Sequence, residues 1–155
     1  MQEVVLNFNN LLKSFWFWFF ITFIVIQFIP MDVPARVETN AQYEIEAPKK
    51  VMNILKRSCY DCHSNYTTYP WYDRIAPASW FVKNHVKKGR EVVNFSVWNN
   101  YEIKKQKFFI KKLEKSIIIR MPMPSYLWLH KEATLSKEDK KLLKKWGESL
   151  KEKIK

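Results

Sequence analysis

The sequence predicts an all-α protein: one small helical domain behind a single N-terminal transmembrane helix. An uncharged run from Ser14 to Met31 precedes four stretches with apolar residues at helical spacing, and no segment alternates as a strand does. A length of 155 residues suits one domain, and an apolar content of 47% can build a core.

Residues 1–33 read as a cytoplasmic stub and a membrane anchor. The segment from Phe15 to Ile29 is FWFWFFITFIVIQFI. As a helix, the run from Ser14 to Met31 would cover roughly 27 Å at about 1.5 Å per residue. A hydrocarbon core is about 30 Å thick. Leu11 and Leu12 complete the span, Lys13 snorkels toward the interface, and Trp16 and Trp18 sit near one end, where amphipathic rings favour the interface. From Phe15 to Phe20 every residue is phenylalanine or tryptophan, so a core helix with one polar face is a poor reading. A cleaved signal peptide is the competing reading. The run ends in Ile29-Pro30-Met31-Asp32-Val33-Pro34, without a small-x-small cleavage site, which favours an uncleaved anchor.

Residues 34–47 read as a linker, with Pro34 near its start and Pro48 just beyond its end. The domain proper is expected over residues 48–150, with 151–155 as a basic tail. Pro48 suits a first helical position, and Val51, Ile54, Leu55 and Ser58 follow on one face. From Pro77 to Lys88, the residues Phe81, Val82, His85 and Val86 share a stripe that Gly89 can end. Tyr101 to Ile119 is lysine-rich, with Phe108, Phe109, Leu113 and Ile117 as apolar positions. Ser136-Lys137-Glu138-Asp139 resembles a capping box, and Leu142, Leu143, Trp146 and Leu150 repeat behind it.

Composition excludes much chemistry. With 2 glycines, neither a Walker loop nor a dinucleotide fingerprint fits, and no G-x-S-x-G or H-E-x-x-H element is present. The 2 cysteines are Cys59 and Cys62, too few for a disulfide-stapled miniprotein.

Those cysteines open Cys59-Tyr60-Asp61-Cys62-His63, the C-x-x-C-H attachment signal for c-type haem. The two-residue spacer sets two sulfurs to match the two vinyl groups of the porphyrin. The adjacent histidine then falls under the iron, where an imidazole nitrogen becomes the proximal ligand. Rival readings are weaker. A thioredoxin-type pair needs a βαβ context that is not visible. A zinc site could draw on Cys59, Cys62, His85 and His130, but their spacing matches no zinc finger. Covalent haem attachment occurs on the outer face of the bacterial inner membrane. The expectation is therefore a single-pass inner-membrane protein with its C-terminal domain in the periplasm.

The motif, extended to C-x-x-C-H-S-N, is followed by Tyr69-Pro70-Trp71-Tyr72, Ile75-Ala76-Pro77-Ala78-Ser79-Trp80, His85-Val86 with Gly89-Arg90, Asn94-Phe95-Ser96-Val97-Trp98 and Met121-Pro122. This series resembles the bacterial haem-binding domain family, small cytochrome c-like proteins commonly carrying one N-terminal membrane segment. The resemblance covers roughly Pro34 to Gly147. It implies one covalently attached haem c and its iron, held by Cys59, Cys62 and His63.

By its match to the family's M-P block, Met121 is the leading sixth ligand. A thioether is soft and neutral, so it favours Fe(II) and raises the reduction potential. Met123 is a second methionine in the same block, while Met31 and Met52 read as packing. His85 and His130 are the nitrogen rivals. His85 has the plainer reading of a core histidine beside Phe81 and Val82, and His130 that of a loop residue. Arg90 reads equally as a partner for a haem propionate and as a solvated charge. Of Trp71, Tyr72, Trp80 and Trp98, some are expected to cover the porphyrin.

The formal net charge is +12, from 27 basic and 15 acidic residues, and Lys13 is the only basic one before Arg36. Docking to an acidic redox partner, adhesion to anionic lipid and a genomic bias toward lysine all accommodate this excess. Nucleic acid does not suit an anchored extracytoplasmic domain. The expected partners are the membrane, the haem-attachment machinery and a redox protein. The expected function is that of a membrane-anchored monohaem c-type cytochrome-like electron carrier rather than an enzyme. The alternative is a haem-based ligand sensor or peroxidase-like enzyme with an open sixth iron position.

Overall fold

The four long amphipathic stretches become helices, and an apolar helix precedes them. The computed structural model describes residues 13–32 and 40–154, and among them it contains helices and turns but no strand. The helices are α1 (Phe15–Ile26), α2 (Lys49–Ser58), α3 (Tyr60–His63), α4 (Ala78–Val92), α5 (Ile103–Ile119), α6 (Pro124–Leu127) and α7 (Lys137–Lys153). Short 3₁₀ turns fill the connections, and the span Phe95–Asn100 is broken by a kink at Val97.

These elements divide into two compact units, the described residues of Met1–Val33 with Pro70–Asn84, and those of Pro34–Tyr69 with His85–Lys155. In the first unit, α1 buries none of its residues. It has 12 residues, fewer than the uncharged run around it, and no helix among the described residues is long and apolar enough to cross a membrane. The physical reason for the early stop lies at Gln27. Its side-chain amide donates to the Phe23 carbonyl at 2.8 Å and accepts from the Ala76 backbone N–H at 2.9 Å. Three residues on, Pro30 has no N–H with which to continue a helix. Leu11 and Leu12, expected to complete the span, lie outside the described residues.

The second unit holds the core. Val51, Ile54 and Leu55 of α2 pack with Ile110, Leu113 and Ile117 of α5 and with Leu143, Trp146 and Leu150 of α7. Each such buried side chain contributes about 1.5–3 kcal/mol relative to exposure. Ile110 takes a place in this core, whereas Phe108, from the expected stripe, stays 57% exposed. The core also reaches into residues 34–47. Ile45 is buried, its N–H bonds to the Phe95 carbonyl at 2.9 Å, and Tyr60 donates to Glu44 at 2.8 Å.

Ser136 caps α7 as expected. Its hydroxyl accepts from the Asp139 N–H, and the Asp139 carboxylate accepts from the Ser136 N–H, each at 3.0 Å. Arg57 at the end of α2 reaches the same carboxylate at 2.8 Å, tying α2 to the start of α7. The helix continues to Lys153, through most of the expected tail.

Candidate functional site

The C-x-x-C-H segment sits where α2 breaks. Cys59 leaves the helical backbone (φ −130°, ψ −32°), and α3 begins at the next residue. The Cys59 carbonyl accepts from the Cys62 N–H at 3.2 Å and the His63 N–H at 2.9 Å. One helical turn is thereby closed, and side chains three and four apart share a face.

A buried polar network braces the chain just after the motif. The Asn94 side-chain amide donates to the Asn65 amide oxygen at 2.7 Å, the Asn65 N–H to the Ser96 hydroxyl at 3.0 Å, and the Ser96 N–H back to Asn94 at 3.0 Å. This is why His63-Ser64-Asn65 and Asn94-Phe95-Ser96, separate along the chain, belong to one structure.

His63 is oriented from α4 and the residue that follows it. Its Nδ1 lies 2.9 Å from the Gly89 carbonyl oxygen and 3.1 Å from that of Val93. Both are pure acceptors, so Nδ1 carries the proton and Nε2 keeps its lone pair. Burial holds the imidazole below its usual pKa against the opposing pull of the Val93 and Gly89 carbonyls, so the ring is neutral at pH 7. A neutral imidazole with Nδ1–H fixed by a carbonyl is the arrangement that presents Nε2 to a metal.

Two adjoining cavities open beside this ring, of about 340 Å³ and about 320 Å³. Ser58, Cys59, His63, Val92 and Met121 line both. Cys62, His85 and Met123 line the first, and Phe95, Phe108 and Phe109 wall the second. The sequence-predicted residues Cys59, Cys62, His63 and Met121 thus meet in one crevice. Burial pushes the thiols up, Cys59 to about 12 and Cys62 to about 11, so both are protonated at neutral pH.

The rivals separate. His85 and Met123 both line the first cavity. His130 stacks on Tyr126, with ring centroids 4.3 Å apart, and contacts Glu132 at 3.2 Å. Among the described residues no three His, Cys, Asp or Glu side chains gather as a metal-binding group. Arg90 donates to the Ser64 carbonyl at 2.8 Å and the Thr67 hydroxyl at 3.0 Å, so it braces the loop after the motif. Met52 is packed against the core.

Trp98 is buried in the core, edge-on to Phe109 at 5.4 Å, while Trp71, Tyr72 and Trp80 belong to the first unit. Phe95, Phe108, Phe109 and Tyr126 line the crevice. An aromatic pair, Phe108 and Phe109, within an otherwise lysine-rich helix was the sequence signal for this wall. Gly89 belongs to the site too. It lies inside α4 rather than ending it, because its bare α-carbon packs against the Cys62 backbone.

The donor set fits an iron porphyrin. A neutral imidazole, a thioether and two thiols surround a largely apolar crevice, with Lys88, Arg120 and Lys112 on its lining as countercharges for carboxylates. Residues 21–149 match the model of a family described as the haem-binding domain. No curated protein and no solved structure matches the chain.

Proposed function

The chain belongs to the haem-binding domain family, and from that premise we propose that it is a membrane-anchored monohaem c-type cytochrome that carries single electrons. The observation that carries this reading is the setting of His63. Its Nδ1 is held by Gly89 and Val93, and its ring lines one crevice with Cys59, Cys62 and Met121.

In this reading Cys59 and Cys62 would hold the group by adding each S–H across one vinyl C=C. An S–C bond and a C–H bond form, and no external oxidant is needed. His63 would hold the iron through its ring nitrogen and Met121 through its thioether. The iron supplies a one-electron couple, which the thioether biases toward Fe(II). Lys88 and Arg120 would offer countercharges to the propionates, and Phe95, Phe108 and Phe109 would give the porphyrin an apolar wall. The uncharged segment around α1, with its wholly unburied apolar side chains, supports attachment to the bacterial inner membrane. The domain then faces the periplasm, where the attachment machinery acts. The basic excess suits an acidic redox partner.

A visible spectrum of the membrane fraction, oxidised and reduced, with and without carbon monoxide, tests the assignment. The expected result is a reduced c-type spectrum that carbon monoxide leaves unchanged. Rapid carbon monoxide binding would assign the protein to ligand sensing or peroxidase-like chemistry instead. Absence of a haem spectrum would end the cytochrome reading.

A further inference from the structure

We propose that Tyr126 is a positioning residue that holds the Met121 segment at the iron through its hydrogen bond to Asp61, inside the attachment motif. This rests on the reading of Met121 as sixth ligand.

The Tyr126 hydroxyl donates to Asp61 Oδ2 at 2.7 Å across 65 residues of sequence. Both residues line the same cavity as Met121. Asp61 is itself anchored on other sides. Its Oδ1 accepts from the Thr68 N–H at 3.1 Å, and its carbonyl accepts from the Thr67 hydroxyl at 2.7 Å. Thr67 is in turn held by Arg90 at 3.0 Å. The acceptor is therefore fixed to the motif and to α4 by bonds that do not involve Tyr126.

The methionine segment is pinned at both ends. At its start, the Met121 N–H bonds to the Ser116 carbonyl at 2.8 Å, fixing it to the end of α5. At its other end Tyr126 reaches the motif. Between them, Pro122 and Pro124 have no N–H to donate and restrict φ, so the segment behaves as a stiff arm. Met121 on that arm is 36% exposed, so packing alone holds it weakly. A charge-assisted bond from hydroxyl to carboxylate is among the stronger single contacts available. Burial, with the Asp61 bond and charge adding to it, raises the phenol's pKa, so Tyr126 remains a donor at working pH.

Motif spacing alone needs no particular residue at position 61. A carboxylate there gains a role if it clamps the opposite wall of the crevice.

Tyr126→Phe isolates the hydroxyl, because a phenyl ring preserves the stack on His130. In the ferric holoprotein, Tyr126→Phe should bind cyanide about tenfold faster than wild type, the scale expected for one charge-assisted bond, while retaining the far-red thioether band. Asp61→Asn keeps an acceptor and should give a smaller increase. The double variant should be no faster than Tyr126→Phe. In the same holoprotein, Tyr126→Phe should speed amide hydrogen exchange over residues 121–127 and leave α7 unchanged.

Met121→Ala separates the two readings. If it abolishes the band while Tyr126→Phe leaves cyanide entry and exchange at wild-type rates, the ligand stands and the positioning role is overturned. If Met121→Ala changes neither band nor rate, methionine ligation fails and the positioning of that ligand fails with it.

Discussion

Gly89 packs so closely on the carbonyl oxygen of Cys62 that no β-carbon fits between them. The contact joins α4 to the attachment motif, and the Gly89 carbonyl in the same place receives His63 Nδ1 at 2.9 Å. One residue therefore sets both the distance and the ring orientation.

Gly89→Ala tests this contact through its sign. In an ordinary helix interior, the change stabilises by roughly 0.5–1 kcal/mol. Here the obstruction is backbone, which cannot swing aside, so a destabilisation of about 1–3 kcal/mol is expected, as for overpacking. Urea titration of the variant should show it, along with a lower yield of attached haem.

Covalent attachment predicts that colour survives acid–acetone extraction and that the protein gains one haem in mass. Cys59→Ala and Cys62→Ala should each leave one thioether and shift the reduced band. The double variant should release all its colour into the solvent, and retention of colour there would overturn the assignment of these sulfurs.

Thiol reactivity of the folded haem-free chain should be suppressed. The thiolate is the nucleophile, and burial pushes Cys62 up to about 11. At pH 8, alkylation should run about a hundredfold slower than for a free thiol with pKa near 8.5. The rate should climb as pH rises toward about 11, and denaturant should restore ordinary reactivity. A normal rate in the folded chain would show that the thiols are not desolvated.

Asp139 links stability to pH. Burial would raise its pKa, but the Ser136 N–H and the Arg57 guanidinium outweigh this and hold it below the usual carboxylate value. A depressed folded pKa contributes stability above the unfolded value of about 3.9, and that stability is lost as pH falls through the folded pKa. The Arg57 side chain is 39% exposed, so solvent screening limits its share. Asp139→Asn should cost about 1 kcal/mol at pH 7, from the capping box and the ion pair together. Urea midpoints for variant and wild type should converge at low pH.

The anchor reading predicts that a reporter fused after Lys155 is active only in its periplasmic form. A soluble mature protein beginning beyond Pro34 would identify the segment as a cleaved signal peptide.

Local chemistry was legible in the sequence by itself. The motif from Cys59 to His63, the helical stripe of Val51, Ile54, Leu55 and Ser58, and the Ser136–Asp139 cap each depend on spacing within one or two turns, which a linear chain displays directly. What lay beyond it required contacts across long separations. Gly89 looked like a helix stop because its role is set by Cys62, distant in sequence but adjacent in space. Arg90, which reads equally as a propionate partner and as a solvated charge, meets Ser64 and Thr67, and Phe95, Phe108 and Phe109 line the crevice beside the motif. Tyr126 carried no signal at all, since a tyrosine becomes a clamp only where packing brings a carboxylate within reach of its hydroxyl. Spacing determines which side chains share a turn; only the packing of α2, α4 and α5 decides which turns share a crevice.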